Sequence, residues 1–195
     1  MSKGEETKQL IIERAAPVFN TRGIAATAMS DIMEVTKLSK GSLYVHFTDK
    51  DNLAASVVDY SLSQLSKKVM TAVNRHSNAK DRLFAYIDVL GNPLQPLVAG
   101  GCPMMNFGVE ADDTNQAIRE KVSRLVKQSQ KTIAGIIHKG IEEGVFKPDW
   151  EYKEFATMLF AMIEGGIMIS RITGNDSAMK TIKRNLKNMI TAQLL

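Results

Sequence analysis

Six residues between positions 39 and 46 carry, or make room for, groups that can meet a polar partner: Ser39, Lys40, Gly41, Ser42, Tyr44 and His46. Two hydroxyls, an ammonium, a phenol and an imidazole on one short segment suit the base edges and phosphates of a nucleic-acid duplex. Gly41 costs a helix about 1 kcal/mol against alanine. Close approach of the helix backbone to DNA would account for it. Thr27 and Lys50 are placed where helices begin, and backbone N–H groups at helix starts favour phosphate.

Other chemistries have less to stand on. No HExxH, GxSxG or Walker loop is present, and Asp112-Asp113 reads as a cap for the helix that follows. The chain is therefore not expected to be an enzyme. His46, His76 and His138 are far apart in sequence, so no metal site is expected and no cofactor is implied. Cys102, in Gly100-Gly101-Cys102-Pro103, reads as a small buried hydrophobe. The sharper alternative is a redox- or electrophile-sensitive thiol activated near a helix start. The chain has 11 methionines. Met104, Met105 and Met162 would line an adaptable pocket for a small apolar or aromatic ligand, with Tyr86, Phe107, His138, Phe160 and Glu164 adding shape and polarity.

The elements that must position these groups read as helices throughout. Apolar residues at spacings of 3 and 4 predict helices over 7–20, 28–36, 40–47, 50–74, 81–90, 104–110, 115–144, 151–173 and 177–192. Thr27, Ser39 and either Thr48 or Asp49 are the expected N-caps of the second, third and fourth, and Gly23 is the expected left-handed stop of the first. The three residues 37–39 join the second and third helices in a tight turn, as in a helix-turn-helix. In that motif the second helix enters the major groove.

Composition agrees. A chain of 195 residues, 44% of them apolar, can bury a core without staples, and one cysteine rules out an internal disulfide. The net charge of +4 permits DNA binding without requiring it. Residues 1–9 show no signal peptide, and the apolar stretch 155–169 is interrupted by Glu164, Gly165 and Gly166. It reads as too short and too broken to span a membrane, so a cytoplasmic protein without a membrane partner is expected.

The run Thr27, Asp31-Ile32, Leu38-Ser39-Lys40-Gly41-Ser42-Leu43-Tyr44, His46-Phe47, Asp49-Lys50 and Asn52-Leu53 closely resembles the DNA-binding domain of TetR-family transcriptional regulators. Ile11, Ala15-Ala16, Val18-Phe19 and Gly23 resemble that family's first helix. The sequence departs at Val45, on a partly exposed face that is often polar or aromatic.

The resemblance implies an all-α dimer of nine-helix chains, with a three-helix DNA-binding domain over 1–49 and a six-helix ligand-binding and dimerisation domain over 50–195. It makes Thr27 and Lys50 phosphate contacts, Tyr44 and His46 phosphate or groove contacts, Ser39 to Ser42 the front of the recognition helix, and Leu43 and Phe47 its anchors. The expected function is a ligand-responsive regulator, most simply a repressor. It would bind a palindromic double-stranded operator as a homodimer, and an unidentified small molecule tilting the fourth helix would release it. The expected dimer contacts are Phe155, Leu159, Ile163, Gly166, Ile182, Leu186, Met189 and Ile190. Two alternatives remain: a sensor of the same family acting through Cys102, and a helical carrier or enzyme in which residues 7–47 only pack.

Overall fold

The computed structural model describes residues 2–195. The described residues form nine helices: α1 Lys3–Arg22, α2 Met29–Thr36, α3 Lys40–His46, α4 Lys50–Val73, α5 Ala79–Leu90, α6 Pro103–Ala111, α7 Gln116–Glu142, α8 Tyr152–Thr173 and α9 Ser177–Thr191. The one β feature among them is an isolated bridge between Phe146 and Leu194. The all-α expectation holds.

Helix ends follow local chemistry. α1 starts four residues before the periodicity does, because Ser2 and Glu5 form a capping box: Ser2 Oγ accepts from Glu5 N, and Glu5 Oε2 accepts from Ser2 N at 2.7 Å. The Ser2 N–H first, and then its hydroxyl, hold the Glu5 carboxyl below its ordinary pKa. Pro17 sits inside α1 without ending it. Ser39 caps α3 by accepting from Ser42 N at 3.2 Å, and Asp49 caps α4 by accepting from Asn52 N at 2.7 Å.

Three expectations about ends are corrected. Ala28, not Thr27, occupies the N-cap of α2, and the Asp31 carboxylate takes up the Ala28 N–H at 2.8 Å. Gly23 has φ +86° but ψ 161°, outside the left-handed helical well. Asn115, rather than Asp112 or Asp113, caps α7 by accepting from Ile118 N at 3.1 Å.

The chain forms two compact units. The first comprises the chain through Leu65 together with Val98–Ser123, so α1–α3 share it with α6. Its buried residues include Ile11, Phe19, Ile32, Leu43, Phe47, Leu53 and Phe107. The second comprises Ser66–Leu97 and Arg124–Leu195. Its core is built on Leu83, Ile87, Ile133, Ile137, Leu159, Ile163, Leu186 and Ile190. Phe146, Trp150 and Phe155 form an aromatic run with ring centroids 5.0 and 4.9 Å apart. α8 and α9 pack against each other. They meet closely at Gly166, where a Cβ would lie 2.8 Å from Met179 Cε and 2.9 Å from Ile182 Cδ1.

α8 is long and apolar enough, by length and composition, to cross a membrane. The sequence reading of a stretch too short and broken for that is corrected, since Glu164-Gly165-Gly166 continues the helix. Its apolar residues have two destinations. Phe155, Leu159, Ile163, Gly166 and Ile167 are buried within the unit. Met158, Met162, Gly165, Met168, Ile169 and Ile172 form a second stripe that is half-buried to exposed, with Ile172 at 78%.

Candidate nucleic-acid interface

The loop between α1 and α2 sets the position of the helix-turn-helix, and opposite charges grip it on its two polar sides. Glu110, from α6, accepts from Ile24 N at 2.8 Å through Oε2 and from Ala25 N at 2.7 Å through Oε1. Lys50, at the start of α4, donates Nζ to Ile24 O at 3.0 Å and Thr27 O at 3.2 Å, with Ala25 O at 3.4 Å. Loop N–H groups therefore face a carboxylate and loop C=O groups face an ammonium. Both are the stronger, charge-assisted kind of bond. Gly23 is required twice here: its φ of +86° disfavours side chains, and a Cβ would sit 3.1 Å from Glu110 Oε2.

A second polar lock holds the end of α1. Asn20 is 3% exposed and donates Nδ2 to Ala99 O at 2.7 Å and Gly101 O at 3.2 Å. Asn106 of α6 donates Nδ2 to Asn20 O at 2.9 Å and Gly100 O at 3.0 Å. α2 is tied down by Arg14, which donates to Val35 O at 3.3 Å, and by the 2.9 Å Arg22–Asp31 ion pair.

On this base α3 is anchored by Leu43, fully buried, and by Phe47 just past its end. The opposite side is open. Ser39, Lys40, Gly41, Tyr44 and Val45 are exposed, and Ser42 and His46 are half-buried. Lys40 Nζ lies 5.9 Å from the Tyr44 ring centroid, which directs the ammonium along this front. A Cβ on Gly41 would meet only Ser39 Oγ, at 4.0 Å. Nothing inside the chain requires glycine there. Val45, at 80% exposure, is the most open apolar side chain on the helix.

Two expected contacts move. Thr27 is 1% exposed and its hydroxyl donates to Gly23 O at 2.6 Å, so its side chain is committed inward. Lys50 is half-buried on the loop carbonyls, and its charge serves the fold.

The expected pocket residues divide between the units: Met104, Met105 and Phe107 belong to the first, and Tyr86, His138, Phe160, Met162 and Glu164 to the second. Tyr86, Met104 and Phe107 are buried; Met105, Phe160, Met162 and Glu164 are half-buried. His138 departs from the expectation. Its side chain is 53% exposed, stacked on Tyr152 with ring centroids 5.3 Å apart, and paired with Glu142. A groove of about 410 Å³ in the second unit is lined by Arg75, His76, Phe84 and Asp88, and by none of the expected residues. Beside it Asp88 holds Lys183 at 2.9 Å and Lys187 at 2.6 Å. Burial pushes the Asp88 carboxyl up, but the lysine hydrogen bonds outweigh it and leave the group below its ordinary pKa.

Cys102 is 6% exposed at the N-cap of α6. Of the expected dimer contacts, Phe155, Leu159, Ile163, Gly166, Leu186 and Ile190 are buried inside the chain. Residues already enclosed cannot also face a partner copy, so that assignment is corrected. Only Met189, 40% exposed, and half-buried Ile182 remain available.

Comparison with known proteins agrees with this architecture. The family model "Bacterial regulatory proteins, tetR family" matches residues 11–57, and "Tetracyclin repressor-like, C-terminal domain" matches residues 79–186. A TetR transcriptional regulator from Chloroflexus aurantiacus is 34% identical, superposes with a TM-score of 0.94, and aligns over 100% of this chain and 98% of that one. A TetR-family regulator from Cytophaga hutchinsonii gives the same values. The HTH-type transcriptional repressor DhaR of a Mycobacterium species is 27% identical over 86% of this chain and 84% of its own length.

Proposed function

Since the chain belongs to the TetR family of helix-turn-helix transcriptional regulators, we propose that it is a ligand-responsive repressor that grips a palindromic DNA operator as a homodimer. Family and fold are those of transcriptional regulators, not of enzymes. The observation that carries the DNA assignment is the open front of α3: Ser39, Lys40, Gly41, Ser42, Tyr44 and His46. It rests on Leu43 and Phe47, with an empty space at Gly41 that the fold does not use. Repression, rather than activation, is proposed by analogy with the repressor DhaR.

The dimer assignment rests on the outward stripe of α8. An exposed row of Met168, Ile169 and Ile172 is costly to leave in water. A second copy related by a two-fold axis would cover it with the same residues. Gly165, with nothing within 4 Å of its Cβ position, would let the partner helix approach closely. Two such heads would meet successive major-groove faces about 34–36 Å apart, or a multiple of that. The effector is assigned to a small apolar or aromatic molecule, with Tyr86, Phe160, Met162 and Glu164 of the second unit as its candidate contacts. The site of action is then the cytoplasm, where the operator is.

The test is DNA affinity against salt, first with the gene's own upstream DNA and then with duplexes selected from random sequence. Several phosphate contacts predict affinity that falls steeply and log-linearly with salt. Absence of binding to any duplex at low salt refutes the proposal.

A further inference from the structure

Among the described residues one non-glycine has a positive φ: Lys37, at φ 61° and ψ 26°. It closes α2, its N–H donating to Met33 O at 2.9 Å, and opens the turn into α3. The left-handed well is where a Cβ crowds the following carbonyl, and glycine or asparagine ordinarily fills such a closing position. Strain of this kind persists where the residue gives something else in return. Within the chain the Lys37 side chain gives nothing: it is exposed, and its ammonium has no hydrogen-bond or ion-pair partner among the described residues. Four other cations of the same unit are engaged. Lys50 is on loop carbonyls, Arg22 on Asp31, Arg14 on Val35 O and Lys121 on Asp59. Lys37 lies three residues before Lys40, so the two Cα atoms are at most about 10 Å apart, and both ammonium groups are free to reach one partner surface.

We infer that Lys37 is a DNA-phosphate contact, taking at the turn the role that the sequence assigns to Lys50, and that the left-handed strain is kept for its charge. This rests on the DNA-binding reading above. A phosphate contact fixes the register of the helix without reading sequence, so the loss on its removal is uniform across DNA sequences.

The experiment compares the full-length parent with Lys37→Gly, Lys37→Asn and Lys37→Arg. It uses a duplex the parent selects from random sequence and an unrelated duplex of equal length, each titrated between 0.05 and 0.3 M salt. Glycine and asparagine accept the backbone without the charge; arginine keeps the charge. Lys37→Gly is expected to raise the melting temperature by about 2–4 °C. Both neutral variants are expected to lower the salt slope by about 0.9 for each head bound. That weakens binding to both duplexes by about fivefold per head at 0.15 M salt, the value this slope gives relative to 1 M. Lys37→Arg keeps parental slope and affinity. A higher melting temperature with unchanged slope and affinity in the neutral variants overturns the inference, as does an arginine variant that loses as much as they do. Should the parent bind neither duplex, the DNA-binding reading fails and carries this inference with it, a result distinct from parental binding that the variants leave untouched.

Discussion

Replacing Glu110 with alanine tests how the helix-turn-helix is held. The carboxylate bonds two backbone N–H groups at 2.8 and 2.7 Å. Hydrogen bonds to a charged group contribute about 1.5–3 kcal/mol each. The Ala25 bond is exposed, so water replaces most of it, whereas the Ile24 bond is partly buried. One bond's worth remains, and Glu110→Ala should therefore cost about 2 kcal/mol. For a chain of this size that is a fall of about 4–8 °C in melting temperature. Glu110→Gln keeps one acceptor oxygen and turns an NH2 group toward the other N–H, so it should lose at least half as much. The assay is urea unfolding together with amide exchange resolved at Ile24 and Ala25. Both amides should exchange faster in the variants, while amides in the middle of α8 follow only the global change. Unchanged stability and unchanged protection at these two amides would refute the clamp.

Three further outcomes follow from the same contacts. Lys50→Met should lower stability by about 1–2 kcal/mol through its loop-carbonyl bonds, yet leave the salt slope of DNA affinity unchanged; a slope falling by about 0.9 per head would return Lys50 to the phosphate. Ile172→Asp, on the exposed stripe of α8, should convert a sedimenting dimer to monomer with helix content intact, and a persistent dimer would place the interface elsewhere. Asp88→Asn should destabilise the chain by under about 1 kcal/mol near neutrality, because the carboxylate is half exposed. The Asp88 pKa is depressed in the folded state, so its contribution is present above the unfolded value of about 3.9 and is lost as pH falls through the lower folded value. The parent–variant difference, measured by denaturant unfolding, should accordingly vanish in acid, and a difference that grows below pH 4 would contradict the sign.

What the sequence disclosed and what it hid divide by range. The helix-turn-helix is local: Ser39 and Asp49 cap helices within three residues of themselves, and Leu43 and Phe47 anchor α3 four residues apart. Spacing alone carries such information. The inward turn of Thr27 and the engagement of Lys50 depend on the shape of a loop that only tertiary packing defines. Glu110 is separated by 86 residues from the Ile24 N–H it holds, and no pattern near either residue announces the pair. The first turn of α1 was hidden because its residues are polar, although Ser2 and Glu5 spell a capping box. α8 failed differently. It is apolar nearly all round, so spacings of 3 and 4 fit both of its stripes, and periodicity cannot tell which one faces the core. Contact with α9 at Gly166 settles that, and leaves Met168, Ile169 and Ile172 outside.

The central claim is that two copies of α3 read DNA together. Hydroxyl-radical footprinting of the complex on a selected duplex tests it most directly. Two protected patches related by a two-fold axis are expected on one face of the duplex, their centres one helical turn of about 10–10.5 base pairs apart or a multiple of it. Both patches should fade together in Tyr44→Ala. A single patch, or protection that survives that substitution undiminished, would contradict the claim.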